Sequence, residues 1–153
     1  MASDPVSCVT ISFSRKKNLA IPTQEVFNLL RKVGIQPTPQ RLAIAKFVLS
    51  VSSHPTADQV FTEVQRTLPS LSRATVYNTL NLFTQRGLLQ TVHFHEDFVR
   101  FDANVSRHHH FIDEATGGVY DIPLEELKVS GLSNLTDFDV TEYQVILRGR
   151  RKL

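Results

Sequence analysis

One cysteine, Cys8, stands in the whole 153-residue chain, so an internal disulfide framework and any cysteine-rich zinc knot are excluded. No apolar run approaches the ~20 residues needed to span a bilayer. The stretch from Ser7 to Phe13 is too short for a signal-peptide core, and the basic Arg15-Lys16-Lys17 follows it instead of preceding it. A cytoplasmic protein is therefore expected. Net charge is also small, +2, but unevenly spread. Residues 1–87 hold ten Lys/Arg against four Asp/Glu, and residues 88–153 hold seven against eleven. A basic first half joined to an acidic second half fits a polyanion-binding module attached to something else. With 41% hydrophobic and 21% charged residues, the chain has an ordinary globular composition, and its length allows one domain or two small ones.

What the chain does have is histidine in a pattern. His108-His109-His110 lies between Asp102 and Asp121, and His54 sits far upstream beside Pro55. On a strand, residues i and i+2 share a face, so His108 and His110 can converge on one ion while His109 points away, expected to face solvent. Three imidazoles and two carboxylates suit a divalent first-row metal such as Fe²⁺ or Mn²⁺, and Zn²⁺ would also bind in vitro. The bland alternative is a polar loop that happens to carry histidines. His93 and His95 form a second i, i+2 pair, read as exposed polar residues.

Along the chain, residues 1–22 read as a disordered basic arm. Thr23 caps a helix to about Lys32, stopped by Gly34. Thr38-Pro39 opens a second helix ending near Val51. Thr56 begins a third, with Val60, Phe61, Val64 and Leu68 at helical spacing, broken at Pro69. Ser72 caps a fourth that runs to Gly87. Period-two strands follow, Leu88 to Phe94 and Phe98 to Phe101, with Glu96-Asp97 as the turn. Helices followed by a hairpin make a winged helix-turn-helix over residues 23–102. Residues 103–153 read as strands at Phe111-Ile112 and Val119 to Ile122 around a Gly117-Gly118 turn, an acidic helix from Pro123 to Leu132, and a strand from Asp139 to Arg148. The fold class expected is α+β: a DNA-binding module and a small C-terminal α/β unit. About fifty residues bury too little surface alone, which points to a homodimer.

The fourth helix begins Ser72-Arg73-Ala74-Thr75-Val76-Tyr77-Asn78. Ser72 and free backbone N–H groups can hold a phosphate. Asn78 can bond an adenine edge, and Tyr77 can pack on a thymine methyl. Ser72, Arg73, Thr75, Tyr77 and Asn78 are thus candidate contacts to double-stranded DNA, with Lys32 and Arg41 as flanking candidates for the backbone or minor groove. Val76, Leu80 and Leu82 serve the core on the opposite face.

These residues match a known pattern. Thr38-Pro39-Gln40-Arg41, His54-Pro55-Thr56-Ala57-Asp58, Ala74-Thr75-Val76-Tyr77-Asn78, Arg100-Phe101-Asp102 and His108-x-His110 resemble the ferric uptake regulator (Fur) superfamily of bacterial metal-dependent repressors over roughly residues 23–151. The resemblance implies a DNA-binding winged helix, a dimerisation domain, and a regulatory metal between them. Asp at positions 102 and 121 is most similar to the peroxide-sensing, PerR-like branch. There the ligands fall on His54, Asp102, His108, His110 and Asp121, and bound Fe²⁺ leads to oxidation of a ligating histidine, here His54 or His108. A repressor of iron or other metal homeostasis is the alternative. Most relatives also hold a structural zinc on two Cys-x-x-Cys pairs. Here Asp113 and Thr116 replace the first pair, and the second is missing from the Gly149-Arg150-Arg151-Lys152-Leu153 end, so no Cys₄ zinc is expected. Core packing through Phe111, Ile112, Val119, Tyr143, Val145 and Leu147 must then hold that domain together.

An enzyme is not expected. His108-x-His110-x-x-x-Glu114 mimics half of a cupin metal motif, but no histidine follows His110 and the first half of the chain reads helical.

Overall fold

Among the described residues, four α-helices form where caps and apolar spacing ask for them. The computed structural model describes residues 20–95 and 98–152, and only the backbone of His95. Helix α1 (Thr23–Lys32) follows Pro22 and buries Val26, Leu29 and Leu30. Helix α2 (Pro39–Ser50) starts as expected, with the Thr38 side chain accepting from Arg41 N and proline in the first turn. Thr23, expected as the α1 cap, is instead the first helical residue, and its Oγ1 accepts a 3.0 Å bond from Lys46 of α2. Helix α3 (Ala57–Gln65) opens on a reciprocal capping box between Thr56 and Gln59. Helix α4 (Arg73–Gln85) is capped by Ser72, whose Oγ accepts from Thr75 N at 3.1 Å. Each such cap contributes about 1 kcal/mol.

Helices α1 and α4 end alike. Gly34 (φ 73°) and Gly87 (φ 72°) adopt the left-handed conformation that closes a helix, and the next residue returns a hydrogen bond five positions back, Ile35 N to Leu30 O and Leu88 N to Phe83 O. Arg86, the residue that follows α4, donates to the carbonyls of Val33 and Gly34, so the two termini are tied together. Val26, Leu30, Ile44, Val60, Val76, Leu80 and Phe83 fill the centre between the helices and are fully buried. Helix α3 ends at Gln65, short of Leu68.

A hairpin follows, β1 (Gln90–His95) and β2 (Phe98–Asp102), antiparallel with Gln90 opposite Asp102. Its expected turn, Glu96-Asp97, lies outside the described residues, as do Cys8, the Arg15-Lys16-Lys17 cluster and all of the arm before Ala20. A second sheet has the order β4-β3-β5, in which β3 (His108–Asp113) pairs antiparallel with β4 (Val119–Pro123) and parallel with β5 (Ile146–Gly149). The overall class is α+β, as expected.

The C-terminal third departs from expectation in three ways. In place of the acidic helix from Pro123 to Leu132 there is a 3₁₀ turn, Leu124–Glu126, and a second begins only at Leu132 (Leu132–Asn134), because Leu127 turns extended and Gly131 sits at φ 88°. The strand expected from Asp139 starts only at Ile146. The parallel register sets His110 beside Ile146, which puts Gln144 level with His108, so residues before Gln144 run past the start of β3. Of the expected core, Ile112 and Val119 are buried, joining Val92 and Phe94 of β1 in a small cluster. Phe111, Tyr143 and Val145 are only half-buried, and Leu147 is exposed.

Candidate metal centre

His54 occupies the loop between α2 and α3 with φ 50°, in the left-handed region although it is not glycine. Such a conformation costs of order 1–3 kcal/mol and persists only where its surroundings impose it. Pro55, the 3.2 Å bond from Arg100 Nη1 to the His54 carbonyl, and the Thr56–Arg100 bridge supply that constraint. Asp102 ends β2. His108 and His110 project from one face of β3, and Asp121 is the β4 residue directly opposite His110. The strand period thus delivers two imidazoles, and the β3–β4 register adds a carboxylate.

These five side chains meet. One ligating atom from each lies within 4.8 Å of all the others. His54 Nε2 is 2.9 Å from Asp121 Oδ1 and 3.4 Å from Asp102 Oδ2, His108 Nε2 is 3.0 Å from Asp102 Oδ2, and His108 Nε2 and His110 Nε2 are 2.9 Å apart. All but Asp121 are buried, and Asp121 is nearly so. With neutral imidazoles the group carries two negative charges out of water, which a divalent cation would balance. His108 Nδ1 lies 2.7 Å from the Ser106 carbonyl, an acceptor only, so Nδ1 carries the hydrogen and Nε2 presents a lone pair to the centre. The residues fit a metal ion of the Fe²⁺ or Mn²⁺ kind.

The same electrostatics act on the protons. Burial pushes the His54 imidazole down, but the hydrogen bonds and charges of Asp102 and Asp121 outweigh it and raise its pKa to about 9. Burial likewise opposes the shift at His108, where the Asp102 bond and the Ser106 carbonyl raise the pKa. For Asp102, burial raises, while bonds from His108, His110 and His54 hold the carboxyl well below the usual carboxylate range. Asp121 is also lowered: burial works against it, and His54 and Asn104 prevail.

Several supporting residues escaped the sequence reading. Asn104 donates its backbone N–H to Asp102 Oδ1 (2.8 Å) and its amide to Asp121 Oδ2 (3.0 Å), fixing both carboxylates. Gln90 Nε2 donates to Asp102 Oδ2 at 3.2 Å and to the Asn104 carbonyl at 2.6 Å. The Asp102-x-Asn104 spacing is that of a local turn closed by an Asp side chain, a signal the sequence does contain. His109 corrects an expectation. It is fully buried rather than solvent-facing, because β3 is the central strand and its second face is covered as well. The His109 ring lies 5.7 Å from Tyr143 and its Nδ1 accepts from Val145 N at 3.2 Å.

The candidate DNA contacts fall in separate places. Arg41, Thr75 and Asn78 line a notch of about 240 Å³ between the start of α2 and α4, together with Thr38, Gln40 and Thr79. Arg41 Nη1 donates to the Gln36 carbonyl at 3.0 Å. Tyr77 lines a different hollow of about 570 Å³, against α3 and β2. Ser72 is exposed, and Lys32 stands in the last turn of α1, lining neither hollow. Arg73 is held by Asp58 in an exposed ion pair and stacks 4.7 Å over Phe61, so it must leave those partners to reach DNA. An exposed pair of this kind is easily surrendered.

Where the first cysteine pair of a Cys₄ zinc would lie, hydrogen bonds stand instead. The Asp113 carboxylate accepts from Ala115 N (3.1 Å) and Thr116 Oγ1 (2.8 Å), which, with the Arg151 backbone, hold its pKa below the ordinary value. Glu114 N donates to the Gly149 carbonyl at 2.8 Å, and Arg151 stacks 4.9 Å over Tyr120. These groups do not fit a thiolate-bound zinc, and they tie the β3–β4 turn to the end of β5.

A buried imidazole–carboxylate cluster able to hold a metal ion, set where a helical module with its hairpin meets a small mixed sheet, defines the class of this α+β protein. Residues 32–148 match the ferric uptake regulator family, and the chain belongs to that family. It is 37% identical over 128 residues to the peroxide-responsive repressor PerR of Staphylococcus epidermidis, covering 82% of this chain and 85% of that one. Among solved structures it is similar to the Campylobacter jejuni peroxide stress regulator (TM-score 0.60, 25% identity, 85% of this chain and 96% of that one). It is also similar to the Pseudomonas aeruginosa ferric uptake regulator with manganese (TM-score 0.62, 25% identity, 82% and 97%).

Proposed function

We propose that this chain is a metal-dependent transcriptional repressor that senses hydrogen peroxide through oxidation of His54 or His108. The observation that carries the reading is the convergence of His54, from the helical module, with His108, His110 and Asp121, from the second sheet. Ligands from both sides of a junction make an ion's affinity depend on how the two sides are placed. By linkage, the ion then favours that placement.

His54, Asp102, His108, His110 and Asp121 hold the ion. When Fe²⁺ is bound it supplies the redox chemistry that activates peroxide next to an imidazole, whereas Mn²⁺ does not. The imidazole of His54 or His108 gains one oxygen and the peroxide is reduced to water. An oxidised ring is a poor ligand, so the helical module is released from the sheet and the DNA is given up. Recognition falls to the α4 face carrying Ser72, Arg73, Thr75, Tyr77 and Asn78, the reading helix of a winged helix-turn-helix, with Lys32 and Arg41 on the backbone. The exposed apolar side chains Leu135, Phe138, Val140, Ile146 and Leu147, together with the edge strand β5, support burial against a second copy. A homodimer would read an inverted repeat.

Peptide mass spectrometry of the Fe²⁺ protein after peroxide is expected to show a gain of ~16 Da on His54 or His108, and none in the Mn²⁺ protein. Oxygen found only on Cys8 or Met1 contradicts the mechanism. A repressor of metal homeostasis would instead bind DNA with Fe²⁺ and keep it through peroxide treatment.

A further inference from the structure

None of the five candidate ligands lies on β1, yet one β1 side chain touches two of them. Phe94 is 7% exposed and packs with Val92, Ile112 and Val119, apart from the helical core. Its ring meets His110 edge-on (centroids 4.9 Å, planes at 76°) and His54 in the same manner (6.4 Å, 75°). Its backbone carbonyl accepts a 2.9 Å bond from Arg148 Nη2 of β5.

A metal-bound imidazole is usually oriented by a hydrogen bond from its other ring nitrogen. His108 has that bond, to the Ser106 carbonyl. His54 and His110 do not, since the Nδ1 of each is buried with no hydrogen-bond partner among the described residues. Their ring planes must be set by packing. Among the described residues, Phe94 is the ring from outside the ligand set that meets both, and these two histidines reach the centre from opposite sides of the junction. We propose that Phe94 is a positioning residue for the metal centre, holding the His54 and His110 rings in their ligating orientation and closing that flank to water. Arg148 steadies it by fixing the backbone of β1 against β5. The inference rests on the metal-binding reading above.

The test is a Mn²⁺ titration of the full-length protein, following free Mn²⁺ by electron paramagnetic resonance, for the wild type and for Phe94→Ala, Phe94→Leu, Val92→Ala and Arg148→Ala. Phe94→Ala is expected to weaken Mn²⁺ binding roughly ten-fold or more, the loss typical of removing a residue that orients a ligand. Phe94→Leu keeps the apolar seal without the ring and should fall between it and the wild type, with a broadened bound-Mn²⁺ signal. Arg148→Ala should cost several-fold. Val92→Ala removes bulk from the same cluster but leaves the Phe94 ring against both imidazoles, so its affinity should stay within about two-fold of the wild type. Phe94→Leu carries the test if Phe94→Ala does not fold, which metal-free thermal unfolding reports. Unchanged affinity in the folded Phe94 variants, or an equal loss in Val92→Ala, overturns the positioning role alone. A wild type that takes up no Mn²⁺ overturns the metal reading and this inference with it.

Discussion

His54 concentrates most of the chemistry in one side chain: a left-handed backbone, full burial, two carboxylates at its Nε2 and a raised pKa. In the metal-free protein its protonated form is favoured by Asp102 and Asp121. That stabilisation is complete below about pH 6.5 and is lost as pH rises through about 9. The lowered carboxyls act in the opposite sense. Their contribution is present above the ordinary carboxylate range and disappears as pH falls well below it. A metal ion competes with the His54 proton, so Mn²⁺ affinity should climb by up to about ten-fold per pH unit between pH 7 and pH 9, then level off. Calorimetric titrations at pH 7, 8 and 9 check this, and a flat profile would contradict the assigned role. The sequence exposed this residue only in part. His54 stood out by its pairing with a distant histidine cluster, but its strained φ and its helpers Asn104, Gln90 and Phe94 depend on tertiary contacts.

Strand β3 works on both faces. One carries His108 and His110, the other buries His109 against Tyr143, and its end carries Asp113. Removing the Asp113 carboxylate should loosen the β3–β4 turn without emptying the metal centre. Asp113→Ala is therefore expected to lower the metal-free melting temperature while Mn²⁺ affinity stays within about two-fold of the wild type. A matching loss of Mn²⁺ affinity would show that the turn and the centre are one unit. At α3, Thr56→Ala breaks the reciprocal cap and should cost about 1 kcal/mol in chemical denaturation. Caps of this sort explain why the helices were legible from the sequence: Thr38-Pro39, Thr56 with Gln59, Ser72, and the two closing glycines are local signals. Residues 123–145 gave no such signal. Val140, Val145 and Leu147 suggest a strand from Asp139, but a strand needs a neighbour, and none of the local residues reports where β3 begins.

At the scale of the whole molecule, the two halves of the chain share the cluster of Val92, Phe94, Ile112 and Val119, the Arg148–Phe94 bond and the five converging candidate ligands. The apolar part of this junction is small, so its closure should depend on the ion. Urea unfolding with saturating Mn²⁺ is expected to show a single transition shifted upward from the metal-free one, since an ion that binds only the native form adds to its stability. The most direct test of the account is DNA affinity. A duplex selected from random sequence by the Mn²⁺-loaded protein should bind the wild type roughly ten-fold or more tightly with Mn²⁺ than with chelator, as expected for coupled sites. The same duplex should show no metal dependence with His54→Ala. Equal affinity with and without Mn²⁺ in the wild type, or full metal dependence in the variant, would contradict the claim that one ion joins the two halves.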